Sequence, residues 1–388
     1  MIQRRTVLVA GAAAVGLAPL AACGSSGSGD SGSTIKVGVN YELSGDVATY
    51  GQASVQGIEM AIEEVNAAGG VKGKKIELVK YDNKSDPAEA TTLATKLMSQ
   101  DKVLAVIGPA TSGAVKATVP IAIRSKVPVV SGSATAEDVT KDASGVKEYA
   151  FRTCFADSFQ GTAMAVYAAS KLAARTAVIF KDSSSDYAKG LAENFRTTFT
   201  SKGGTIVAEE AYSKGDKDFN AVLTRIKGQA FDVVYLPGYY QEVGLIVKAA
   251  RALGITAPVL GGDGYDSPDL VKLAGAASLT DVYYTNHYSA LDQDPKVTEF
   301  VTAFQKKYNA DPGAFQALGY DTAKVVADAL SRASELKGEA VKNALAETKD
   351  FPAVTGKLSI DANHNPVKDI VVIKLANGAE SSSEKVQV

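Results

Sequence analysis

An α/β fold of two similar lobes, each a mainly parallel sheet flanked by helices, is what this chain of 388 residues predicts. Three observations point there. Short β-branched runs alternate with longer stretches of helical period, the βαβ grammar of a parallel sheet. That alternation runs once from Ile35 and again from Thr176. Each run ends in a loop of small and hydroxyl residues, where open parallel sheets hold their ligands.

The stretch Val103–Val139 carries the pattern most clearly. Val103–Ile107 and Val127–Val130 are apolar strands, and Gly113–Ser125 between them places Val115, Val119 and Ile123 four apart on a helix. The loops Pro109–Gly113 and Gly132–Thr135 bring hydroxyls, backbone N–H groups and a helix N-terminus. Such a set suits a carboxylate. Ser112 also fits as the cap of the helix Gly113–Ser125, and Thr135 as the cap of a segment at Ala136. Neither loop holds a nucleophile–base pair or a metal ligand, so the chain is expected to grip a ligand without transforming it.

The remaining elements follow in order. Ile35–Val39 is a strand, and Gln52–Ala68 is a helix with Val55, Ile58, Ile62 and Val65 on one stripe, stopped by Gly69-Gly70. After the strand Lys75–Tyr81, Asp86-Pro87-Ala88-Glu89 opens a helix with an acidic cap and Pro in the first turn. The second run reads strand Thr176–Phe180, helix Tyr187–Lys202, strand Thr205–Ala211 and helix Asp218–Lys227. It continues with strand Asp232–Leu236, helix Gln241–Leu253 and strand Pro258–Leu260. Helices Pro295–Tyr308, Gly313–Ser334 and Glu339–Ala346 and strands Lys357–Ile360 and Asp369–Lys374 come last. This late return to helices predicts that the first lobe is completed after the second.

Composition narrows the function. Apolar residues make up 46% and charged residues 22%, as in an ordinary globular protein. A formal charge of −2 gives no electrostatic case for nucleic acid. Two His and two Cys leave little material for metal sites or His-based catalysis, and no cofactor is expected. No GxSxG elbow occurs, which argues against a hydrolase. Gly27–Gly32 matches GxGxxG but neither follows a strand nor opens a helix, so its context rejects a dinucleotide site.

Met1–Cys23 reads as an export signal, with Arg4-Arg5, an apolar run from Val7 to Leu20 and small residues before Cys23. Leu20-Ala21-Ala22-Cys23 resembles a bacterial lipobox, which implies a lipidated Cys23 and attachment to the outer face of the cell membrane or the periplasmic side of an envelope membrane. Arg4-Arg5-Thr6-Val7-Leu8 also resembles a twin-arginine signal. Residues 24–33 form a Gly/Ser tether.

From Thr34 onward the chain resembles the type I periplasmic binding proteins of ABC importers, in their branched-chain amino-acid group. The residues that carry the likeness are Leu43-Ser44-Gly45 with Tyr50-Gly51, Asn66–Gly73, Tyr81-Asp82 before Asp86-Pro87, and Ile107-Gly108. Ala134-Thr135-Ala136, Tyr187 before Gly190-Leu191, Lys217-Asp218-Phe219, Gly313-Ala314-Phe315 and Tyr320 continue it. The resemblance implies three hinge crossings, near Phe151–Ala156, Thr285–Ser289 and Ile360–Pro366, and lobes of residues 34–153 plus 287–360 and 154–286 plus 361–388. It implies that Ser112 and Thr135 hold a ligand carboxylate, with Ala134 in the same loop, and that Ser133 offers a carbonyl to the ammonium. Tyr187 reaches in from the second lobe, and Asp263 pairs with the ammonium. Tyr50, Ala110, Tyr239 and Phe315 line the side-chain pocket. Asp263 stands where the well-known leucine binders carry Glu, Gly132-Ser133 replaces their Pro-Ala, and Trp is absent.

The expected function is capture of a neutral, branched-chain amino acid by a monomer that delivers it to ABC permease subunits. The alternatives are an amide, urea or aromatic-acid ligand, or a sensor read by a membrane receptor. His287 and His364 are expected at surface or hinge positions without chemistry.

Overall fold

The computed structural model describes residues 34–387; the signal segment, Cys23 and the tether lie outside the described residues. The first run is β1 (Thr34–Tyr41), α1 (Ala48–Ala67), β2 (Lys75–Asp82), α2 (Pro87–Ser99), β3 (Val106–Ile107), α3 (Ser112–Ser125) and β4 (Val129–Ser131). A small hairpin, β5 (Lys141–Asp142) and β6 (Gly145–Val146), precedes β7 (Ala150–Arg152). The second run is α4 (Asp157–Ser170), β8 (Thr176–Asp182), α5 (Asp186–Ser201), β9 (Thr205–Tyr212), α6 (Asn220–Lys227) and β10 (Val233–Tyr235). It ends with α7 (Tyr240–Ala252), β11 (Val259–Gly261), α8 (Pro268–Ala274) and β12 (Val282–Asn286). Then come α9 (Pro295–Tyr308), α10 (Ala314–Arg332), α11 (Gly338–Ala346), β13 (Phe351–Ala353), β14 (Gly356–Ile360), β15 (Pro366–Val367), β16 (Ile370–Ala376) and β17 (Ala379–Val386).

The first sheet has the order β2-β1-β3-β4-β7, all parallel. In the second, β9-β8-β10-β11-β12 repeats that order, again parallel, and β16 and β17 extend it antiparallel. The duplicated plan read from the sequence is thus present strand for strand. In both sheets the order reverses beside the first strand, so a crevice opens at the carboxyl ends of β1 and β3, and of β8 and β10. The chain leaves the first sheet for the second after β7, leaves the second after β12 for helices and a small antiparallel sheet of β13, β14 and β15, and returns to the second between β15 and β16.

Predicted and observed elements differ in instructive places. α1 starts at Ala48, one turn earlier than expected, and β3 and β4 are shorter. On α3, Val115 and Val119 are buried but Ile123 is 43% exposed, while Ala122 is buried. A spacing of four drifts about 40° per step on a 3.6-residue helix, so the third residue leaves the buried face. α2 matches its signal, with Asp86 accepting from the N–H groups of Ala88 and Glu89 and Pro87 at the first position.

The late helix α10 completes the first side by lying directly on α1. A Cβ on Gly57 would meet the Gln316 carbonyl at 2.0 Å, and one on Gly319 would meet the Ser54 carbonyl at 2.1 Å. Only glycine at both positions lets the two backbones approach this closely. The approach stacks Tyr50 of α1 on Phe315 of α10, with ring centroids 4.2 Å apart and planes 15° from parallel.

Candidate ligand-binding cleft

The loops that follow β1, β3 and β4 face those that follow β8, β10 and β11, and the two groups touch. Tyr50 donates its hydroxyl to the Gly264 carbonyl at 2.5 Å, Tyr240 donates to the Asp46 carbonyl at 3.0 Å, and Thr49 meets Ser267 at 3.0 Å. Lys116 of α3 pairs with Asp186 of α5 at 2.6 Å. Between them lies a small cavity lined by Tyr50, Ala110, Thr111, Ser112, Ser133, Tyr187, Tyr239, Asp263, Gly264 and Phe315. Eight of the ten expected ligand-site residues are in that lining. Ala134 and Thr135 are buried behind it, at 0% and 1% exposure.

One side of the cavity is a set of hydroxyls whose directions are fixed. Ser112 is the first residue of α3 and its side chain caps nothing; Thr111 holds the N-cap position. The Ser112 Oγ accepts from the Ala136 N–H at 3.1 Å, which leaves its own O–H free to donate. Thr135 is not a cap either, since Ala136 precedes the short helical turn at Glu137–Val139. Its hydroxyl lies near the buried Asp157 carboxyl without a hydrogen bond of good geometry. Ser133 donates to the Ala110 carbonyl at 2.9 Å, and Ser131 accepts from the N–H groups of Ser133 and Ala134.

The expectation of free N–H groups in the first loop is corrected in part. Glu42, fully buried after β1, accepts from the Ala110 N–H at 2.9 Å, the Thr111 N–H at 3.1 Å and the Thr111 hydroxyl at 2.8 Å. An internal carboxylate therefore already occupies the outermost donors ahead of α3, and a ligand is left with Ser112 and the groups beyond it.

The opposite side carries one carboxylate, and every group around it donates. Tyr187 donates to Asp263 Oδ1 at 2.8 Å, and the Gly264 N–H donates to the Tyr187 oxygen at 2.9 Å, which fixes the direction of the phenol proton. A Cβ on Gly262 would stand 2.6 Å from that phenol oxygen, so the loop needs glycine there. The Gln160 carbonyl oxygen accepts from the Asp263 N–H and the Thr285 hydroxyl, so its NH₂ faces Oδ1, at 3.1 Å. His287 meets Oδ2 at 3.1 Å. Burial and the nearby Asp263 hold the Tyr187 phenol well above its usual range, so it remains a donor. Burial pushes the His287 imidazole down to about 4, so it is neutral at pH 7.

The apolar walls are aromatic. Tyr187 and Tyr239 stack at 5.2 Å, and Tyr50 meets Tyr239 edge-on at 5.8 Å. Phe315 and Ala110 complete these walls. Among the described residues no group of three or more His, Cys, Asp or Glu is placed to hold a metal ion. No helix among them is long and apolar enough to cross a membrane.

Sequence reasoning missed Gln160, Asp157 and Arg152; of the two positions expected for His287, it takes the one at a crossing, just after β12 and 3% exposed, and its contact with Asp263 was not foreseen. His364 is half-buried, stacked on Phe151 at 3.9 Å. Gln160 and Asp157 lie on α4, whose buried face is otherwise built of Gly161, Ala163, Ala165 and Ala168 with Met164 as its one large apolar residue. That face gives no stripe of large apolar residues to announce a helix.

Residues 34–380 match the model of a family described as periplasmic binding protein. The chain is 33% identical over 329 residues to the leucine-, isoleucine-, valine-, threonine- and alanine-binding protein of Pseudomonas aeruginosa, covering 84% of this chain and 86% of that one. Among solved structures, the branched-chain amino acid transporter substrate binding protein LivJ of Streptococcus pneumoniae, in complex with isoleucine, is 44% identical with a TM-score of 0.87, over 92% of this chain and 100% of that one. The leucine binding protein LivK of Thermotoga maritima is 35% identical with a TM-score of 0.84, over 91% and 98%.

Proposed function

The chain belongs to the periplasmic binding protein family, and on that premise we propose that it captures a neutral, branched-chain amino acid and delivers it to the permease of an ABC importer. One observation carries the reading: a small cavity with the free Ser112 hydroxyl on one side, the Asp263 carboxylate on the other and aromatic walls between. An α-amino acid presents the complementary arrangement. Its carboxylate meets Ser112 and the donors at Thr135, its ammonium meets Asp263, and its side chain meets Tyr50, Tyr239, Phe315 and Ala110. A buried ligand charge is tolerable only when hydrogen-bonded on all sides, which accounts for so many small polar groups. Asp263 disfavours a ligand that lacks a positive group, such as an aromatic acid. Titration calorimetry against the twenty amino acids tests the proposal; it fails if none binds and an uncharged amide does.

The lobes of this reading are residues 34–153 plus 287–360 and 154–286 plus 361–388, joined by the three crossings and closing on the ligand. Small-angle scattering is expected to give a smaller radius of gyration with saturating ligand than without. An unchanged profile would count against closure.

The same reading places the protein outside the cytoplasm, held by lipid on Cys23. One acyl chain gives marginal attachment and two or more hold stably, so lipoprotein-type modification keeps the protein in the membrane fraction. Cys23→Ala is expected to release it or to leave the precursor uncleaved. A variant that is still processed and still membrane-bound would rule out lipidation at Cys23.

A further inference from the structure

We infer that His287 is a positioning residue for the ligand's ammonium: it holds Asp263 Oδ2 so that the one lone pair left on that carboxylate faces the cavity. The inference rests on the reading above that Asp263 is the ammonium partner.

The hydrogen-bond inventory of Asp263 carries it. A carboxylate oxygen accepts about two hydrogen bonds. Oδ1 is filled by the Tyr187 hydroxyl at 2.8 Å and the Gln160 NH₂ at 3.1 Å. Oδ2 takes one, from His287 Nε2 at 3.1 Å. One acceptor position therefore remains, on Oδ2, and Asp263 lines the cavity. Because a carboxylate only accepts, Nε2 carries the imidazole proton and Nδ1 bears a lone pair. Nδ1 is buried and has no partner among the described residues.

Leaving a buried polar atom unpaired is unfavourable, and a phenylalanine would fill the same space without that cost. The ring is already well packed, face to face with Phe155 at 3.7 Å. What the imidazole adds over an apolar ring is the bond to Oδ2. Phe155 lies between β7 and α4 and His287 just after β12, so the pair ties the carboxylate to two of the segments that join the lobes. The other charged group acting on the ring, Lys368, is itself buried, which lowers its ammonium to about 8.

The test uses the mature protein with L-isoleucine as probe, in titration calorimetry of His287→Leu, His287→Gln, Asp263→Asn and the double variant His287→Leu with Asp263→Asn. Gln places an N–H donor near the position of Nε2, whereas Leu places none. His287→Leu is expected to weaken binding about tenfold or more, and His287→Gln to return it to within about threefold of the parent. The double variant is expected to bind no worse than Asp263→Asn alone, because His287 acts through that carboxylate. Loss in His287→Gln as large as in His287→Leu, or losses that simply add in the double variant, would show a general packing role and overturn the inference. Parent-like binding by His287→Leu beside a damaged Asp263→Asn would also overturn it. Parent-like binding by Asp263→Asn would instead overturn the underlying reading of the site. Should His287→Leu fail to fold, His287→Gln decides: parent-like affinity supports the donor role, and a tenfold loss removes it.

Discussion

Asp263→Asn is expected to weaken amino-acid binding by about 30-fold to several thousand-fold, or about 2–5 kcal/mol, while the ligand-free protein melts near the parent temperature. The loss follows from charge. An ammonium taken out of water against Asp263 meets a full negative charge; against Asn it meets a dipole. The fold tolerates the change because the surrounding donors have an alternative. The Asn oxygen can still accept from Tyr187 and Gln160, which both bond Oδ1 now. Its NH₂ then faces His287, whose neutral ring can move its proton to Nδ1 and accept at Nε2. Ser112→Ala provides the comparison. It removes one donor to the ligand carboxylate and also the acceptor of the Ala136 N–H. Its expected loss is about 1.5–3 kcal/mol, since other donors remain. Calorimetry should therefore rank Asp263→Asn at least as damaging as Ser112→Ala. An Asp263→Asn protein that folds normally and binds within threefold of the parent would remove Asp263 from the site, and with it the argument for an amino acid.

What the sequence made legible, and what it hid, divides along a physical line. Local periodicity reports the strands and helices that bury one face, so the order of the two runs and the loops after β3, β4, β10 and β11 were readable. The cavity-lining residues on those loops followed once a family likeness placed them. Hidden were the groups that act through long-range hydrogen bonds. Gln160 reaches Asp263 across 103 positions, and Glu42 reaches Ala110 across 68. No local pattern encodes such a contact. β17 was invisible for another reason: AESSSEKV is polar on both faces, and it forms a strand only because β16 offers an open edge. β12, by contrast, carries a β-branched and aromatic signal in Val282–Thr285 that could have been read.

Arg152 is the hidden residue with the largest expected effect on stability. It ends β7 and is fully buried. Its Nη1 donates to the carbonyls of Thr135 and Ala136 at 2.8 Å each and to that of Ala134 at 3.3 Å. Its Nε donates to Asn365 Oδ1 at 2.6 Å, on the segment between β14 and β15. One guanidinium thus gathers three successive carbonyls of the loop after β4 and fastens that loop to the segment between β14 and β15. By drawing the carbonyls of Ala134, Thr135 and Ala136 inward it fixes the backbone that presents the Ala136 N–H to Ser112. Arg152→Met keeps much of the side chain's length but leaves those acceptors buried and unpaired. The expected cost is about 3–5 kcal/mol of stability, from several unsatisfied groups at about 1–3 kcal/mol each with partial relaxation. Arg152→Lys restores the charge but not the planar fork, so it should recover only part of the loss. Urea unfolding of the three proteins reads the stability, and isoleucine titration at low urea reads the loop. The expected ranking is parent, then Lys, then Met in both measurements. A Met variant within about 1 kcal/mol of the parent would mean that the carbonyls find other partners and that Arg152 does not hold the loop.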